Sequence, residues 1–117
     1  MQKLKWMKTY DGKWVNLEQL DLRHVNMQGV YMIWHGGENP RIVRIGQGNI
    51  AERLRSHLTN LQIMRFKDYG PLMVTWAQVD NPQICEGIQR YLAEQFKPAI
   101  KERMPELPAI AAASPFS

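Results

Sequence analysis

The chain has 117 residues, 44% hydrophobic and 22% charged, with 15 Lys and Arg against 11 Asp and Glu for a net charge of +4. That is one domain's worth of chain with enough apolar material for a core, which excludes a collagen, a coiled-coil rod or a disordered tail as a description of the whole. No apolar run approaches the roughly 18 residues of a membrane helix. The basic start, residues 1–14, lacks the apolar stretch and cleavage site of a secretory signal. The single Cys85 can form neither an internal disulfide nor a multi-cysteine zinc site. The expectation is a cytoplasmic protein with no membrane contact.

The mild positive charge permits a nucleic-acid partner without requiring one. Its distribution is uneven. Arg41, Arg44, Arg53, Arg55, Arg65 and Lys67 face only Glu52 over one stretch, and Lys3, Lys5, Lys8 and Lys13 form a second basic cluster. Solvated surface charge is the plain alternative for each.

In chain order, residues 1–27 read as an N-terminal extension that packs on the domain. Tyr10-Asp11-Gly12-Lys13 is a turn signal, and Lys13-Trp14-Val15 fits a short edge strand. Gly29–His35 is rich in strand formers and is broken by Gly36-Gly37-Glu38-Asn39-Pro40. Arg41–Ile45 is a second strand. The short connection makes an antiparallel hairpin the simplest arrangement. Gly46-Gln47-Gly48 reads as its end, with the glycines there for a turn rather than a phosphate cradle.

Asn49 is a good N-cap, and Ile50, Leu54 and Leu58 recur every four residues, so a helix is expected over 49–58. Gly70-Pro71 punctuates the next break, and Leu72–Val79 is the third strong strand. Asn81 caps a second helix that begins at Pro82 and ends by Phe96, because Pro98 disfavours continuation. Its buried arc is expected to hold Ile84, Ile88, Tyr91, Leu92, Gln95 and Phe96, with Gln89 on the margin and Glu86 and Arg90 opposite. Trp34 and Trp76 read as core or sheet-face aromatics. His24 and His35 have no ligand spacing. Residues 105–117 read as an extended C-terminal tail. The fold class is α/β: a small three-stranded, mainly antiparallel sheet flanked by helices.

Gly29-Val30-Tyr31 is followed after twelve residues by Arg44-Ile45-Gly46, then by a helix carrying Arg53 and His57 one turn apart, then by Gln89-Arg90-Tyr91-Leu92 running to Pro98. In this order the sequence resembles the GIY-YIG nuclease superfamily over about 29–98, within a domain of 28–104. Arg44 stands where the family has its second tyrosine, and Gln89 stands where it has the metal-binding glutamate. The resemblance implies a compact α/β sandwich that cleaves phosphodiesters in DNA with Mg2+ or Mn2+. Tyr31, Arg53 and His57 would be the catalytic residues and Gln89 would stand at the metal position. Arg44, Arg55, Arg65 and Lys67 are the expected nucleic-acid contacts, and a protein partner could supply specificity.

The residues give physical reasons of their own. Arg53 and His57 flank the apolar stripe of their helix, at the rim of a buried face. A guanidinium there can grip a phosphate through paired hydrogen bonds, and a tyrosine on the adjacent strand can position a water. A neutral carboxamide at 89 lacks the charge that holds Mg2+. Taken singly, the same residues read as a core tyrosine, a surface arginine, a structural histidine and a polar residue at the edge of a core. The first expectation is therefore a metal-dependent nuclease, with cleavage impaired by the residue at 89; the alternatives are an inactive nucleic-acid-binding module and a small protein-interaction domain.

Overall fold

The computed structural model describes residues 1–102 and 106–116. The expected domain boundary at 104–105 lies outside them. The fold is α/β, built on one four-stranded sheet in the order β1-β4-β2-β3, with β1 at Val15–Asn16, β2 at Gln28–His35, β3 at Arg41–Asn49 and β4 at Leu72–Gln78. Every pairing is antiparallel. The edge strand expected over 13–15 lies at Val15–Asn16, and its pairing with β4 gives the sheet four strands where three were expected.

Strand β2 is central, and its residues from Gly29 to His35 are all buried. Its side chains alternate between two cores. Tyr31 and Ile33 join Leu17, Val43, Leu54 and Trp76 on one face. Val30, Met32 and Trp34 join Ile45, Ile88 and Leu92 on the other. Helix α1, Ile50–Leu58, covers the first face together with a short α2, Leu61–Met64. Helix α3, Pro82–Phe96, covers the second.

Both long helices start where the sequence places them. The Asn49 side chain accepts from the Glu52 N–H, and the Asn81 side chain accepts from the N–H groups of Gln83 and Ile84. Each cap satisfies amides that have no partner inside the helix. The buried face of α3 departs from expectation. Cys85, Gly87, Ile88, Gln89 and Leu92 are buried, whereas Gln95 is exposed. The small residues Cys85 and Gly87 turn the helix so that Gln89 faces inward. A Cβ at Gly87 would fall 2.6 Å from Ile110 Cδ1, so glycine there lets the C-terminal segment lie close. That segment also bonds through Ile110 N–H to Gly87 O at 2.9 Å, and Ala113 N–H bonds to Gln2 O at 2.8 Å.

Strand β3 is longer than expected. Gly46, Gln47, Gly48 and Asn49 do not end it; they continue the ladder opposite Tyr31, Val30, Gly29 and Gln28. The register shifts between Ile33 and Trp34, which pair with Arg44 and Ile42 and leave Val43 as the extra residue. This β-bulge re-aims the neighbouring side chains. It places Arg44 directly across from Ile33, on the same face as Tyr31 and α1.

Candidate functional site

Five of the residues singled out from sequence meet at the β3 edge of the sheet, where the α1 and α3 layers come together. Tyr31 reaches the site from β2, Arg44 from β3, Arg53 and His57 from α1, and Gln89 from α3. What joins them is Glu102, a residue that no motif singles out. Its Oε1 accepts from Arg44 Nε at 3.1 Å, from Arg44 Nη2 at 2.9 Å and from the Tyr31 hydroxyl at 3.1 Å. The same oxygen accepts from Arg53 Nη2. Its Oε2 accepts from Gln89 Nε2 at 3.0 Å. The Glu102 side chain is only 11% exposed.

Tyr31 lies against the strand because Gly46 has no side chain. A Cβ at Gly46 would sit 2.5 Å from Tyr31 Cζ and 2.8 Å from Cε1. Gly46 is thus a close-approach glycine within a strand rather than a turn glycine. The phenol is fully buried. Burial, reinforced by the Glu102 carboxylate, holds its pKa well above that of a free phenol, against the pull of Arg53 and Arg44. It is a neutral hydrogen-bond donor at physiological pH.

Its oxygen also pairs with His57 Nε2. Burial, then Arg44 and Arg53, pulls His57 down to about 4, with Glu102 opposing, so the imidazole is neutral near pH 7. Its Nδ1 is buried without a hydrogen-bond partner among the described residues. A buried N–H without an acceptor is rare. The arrangement that avoids one puts the ring proton on Nε2, donating to Tyr31, while the Tyr31 hydroxyl donates to Glu102.

Arg55, Arg65 and Lys67 take no part in this cluster. All three are exposed, on α1 and on the turn after α2, and Lys67 Nζ lies 3.7 Å from Glu18 Oε2. On α3, Glu94 is engaged elsewhere, pairing with Arg90 at 3.0 Å. His35 stacks with Phe66 and contacts Tyr69. Cys85 is buried and donates to Val79 O, and burial pushes its thiol up to about 11, which keeps it inert at neutral pH.

The donor set suits an anion and not the divalent cation that the resemblance implies. Gln89 turns its NH2 toward Glu102, whose carboxylate is already held by guanidiniums. Among the described residues no group of three or more His, Cys, Asp or Glu could hold a metal ion. No described helix is long and apolar enough to cross a membrane. Comparisons with protein-family models, curated proteins and solved structures find no match to this chain.

Proposed function

We propose that this hollow binds a phosphodiester of a nucleic acid, DNA in the first instance, on a frame resembling that of the GIY-YIG nucleases. The observation that carries the reading is the convergence of Arg44, Arg53, Gln89 and Tyr31 on a single carboxylate. Arginine forks, a primary amide and a phenol are a complementary donor set for phosphate oxygens. Glu102 is held by two guanidiniums and Glu94 is paired with Arg90, so the carboxylates nearest Gln89 are already engaged, and the activity proposed is binding. Cleavage is the second reading, and the hydrogen-bonded Tyr31–His57 pair beside the anion position is what favours it.

Fluorescence anisotropy with DNA and RNA oligonucleotides tests the first reading. Affinity is expected to fall steeply between about 50 and about 200 mM salt, as phosphate-directed binding does. Arg53→Ala should weaken it more than Arg55→Ala, which removes an exposed cation from the same helix. Equal losses would place binding outside the hollow, and no binding at low salt would return the domain to a protein-interaction role. Plasmid incubated with Mg2+ or Mn2+ should stay intact. Nicking that His57→Ala abolishes would move cleavage to first place.

A further inference from the structure

We infer that Glu102 is a built-in competitor for the phosphate, carried into the anion position by a strap of residues 97–102 that withdraws when a phosphodiester enters. The inference rests on the phosphodiester reading above and concerns how that same site is gated.

One carboxylate oxygen has about two lone pairs to offer. Here Oε1 of Glu102 faces Nε and Nη2 of Arg44, Nη2 of Arg53 and the Tyr31 hydroxyl at once. Arg53 Nε is in addition buried with no acceptor among the described residues. The hollow thus offers more donors than the carboxylate can serve. A tetrahedral oxyanion, with further oxygens set apart in space, can engage them individually. The charges agree. The guanidiniums of Arg44 and Arg53 exceed the one negative charge of Glu102, while His57 is neutral. The site retains attraction for an anion even when Glu102 is in place.

The backbone of the strap makes few hydrogen bonds of its own. Helix α3 ends at Lys97, a non-glycine residue held in the left-handed region at φ 46°. From there the chain crosses β3, the strand at the open end of the sheet. It is held by Ala99 N–H to Ile42 O at 3.0 Å and Ile100 N–H to Val43 O at 2.9 Å. These bonds lie at the bulge that also aims Arg44, so the same irregularity positions the cation and seats the strap. Pro98 is buried, Ile100 packs against the first core and Glu102 is held by both guanidiniums, so the strap lifts only when an anion takes over the partners of Glu102. A cleft of about 290 Å3, lined by Ile45, Ala93, Glu94, Pro98, Lys101 and by Gln89 and Glu102 themselves, opens beside the carboxylate, with the Glu94 charge paired to Arg90. It is the route by which an anion reaches the position. The exposed Lys97 and Lys101 stand at its rim.

The test uses the full chain, a DNA oligonucleotide as probe and inorganic phosphate as a second, smaller probe. Glu102→Gln keeps the shape and removes the charge. It should bind both probes about tenfold more tightly than the wild-type chain, as expected when a self-occluded state filling about nine-tenths of the population is removed. Binding that is unchanged or weaker in Glu102→Gln, while Arg53→Ala still weakens it more than Arg55→Ala, overturns the competitor role and leaves the phosphodiester reading standing. No binding of either probe by any variant overturns both. A second measurement needs no variant. In the wild-type chain, saturation with the oligonucleotide should speed hydrogen exchange of the Ala99 and Ile100 amides relative to those of α1. Slower exchange there would mean that the ligand binds with the strap closed, which overturns the inference.

Discussion

Gly46→Ala is the sharpest probe of how the site is built. The added Cβ would lie 2.5 Å from Tyr31 Cζ and 2.8 Å from Cε1, whereas carbon atoms in contact prefer about 3.5–4.0 Å. The ring cannot step aside, because Tyr31 is fully buried and its hydroxyl is held by His57 and Glu102. Gly46 does not sit at positive φ, so the cost is steric and not conformational. Overpacking of this kind costs about 2–3 kcal/mol, which for a domain of this size lowers Tm by about 10 °C. A double-mutant cycle in urea isolates the cause. Tyr31→Leu removes the ring tip that the new methyl would strike. In that background Gly46→Ala should be neutral or stabilising by about 0.5 kcal/mol, since glycine within a strand is itself unfavourable. The coupling between the sites is then about 2 kcal/mol or more. Additive effects would show that Gly46 is not there to admit the phenol, and the account of the hollow's floor would fail.

His57 should make stability depend on pH. Its folded pKa, about 4, lies below the ordinary value of 6.5, so the unfolded chain takes up the proton first. Stability present above pH 6.5 is lost as pH falls toward 4, by about 3 kcal/mol in all, and His57→Gln should flatten that part of the urea-midpoint profile; parallel profiles would refute it. Gln89→Glu would set a second carboxylate against Glu102, whose Oε2 lies 3.0 Å from the Gln89 amide nitrogen. Like charges so close raise one carboxyl's pKa, so the variant should be less stable than wild type near neutral pH and regain stability as pH falls. It should also acquire Mg2+ or Mn2+ binding measurable by calorimetry, and a variant that is equally stable at all pH and blind to metal would contradict the placement of residue 89.

Much of the fold is legible because its signals are local. Asn49 and Asn81 cap the two long helices, and Pro82 and Pro98 bracket the second. The run of aromatic and aliphatic strand formers before Gly36 forms the central strand. Residue size is the misleading signal. The Gly46-Gln47-Gly48 run has the composition of a turn, yet it is strand, because the Tyr31 ring needs the bare backbone of Gly46 and Gly29 pairs with Gly48. On α3 the large residues suggest an arc through Tyr91 and Gln95. The helix instead buries Cys85 and Gly87, because their smallness lets the sheet and the C-terminal segment approach. Gln89 is carried inward by that rotation. Arg53 is legible as a cation at a buried rim, because its helix periodicity is clear. Arg44 reaches the face of Tyr31 only through the bulge at Val43, a one-residue register shift with no composition signal.

Glu102 carries no local signal at all. It lies 71 residues from Tyr31 and 58 from Arg44 along the chain, and no motif spacing connects them. Charge nonetheless calls for such a residue. The Arg44 side chain is 15% exposed, and a guanidinium so far withdrawn from water needs an anionic or multiply accepting partner nearby. Tyr31 and Gln89 offer donors to the same point, and His57 near pH 7 is neutral. The partner must therefore come from elsewhere in the chain or from outside it. In the closed form it comes from the chain. The same requirement holds once the strap lifts: with Glu102 gone, two guanidiniums face each other across a partly buried hollow, and the open form is stable only with an anion between them. Opening and anion binding are thus a single linked event, and an open, empty hollow is the one state this arrangement of charges does not favour.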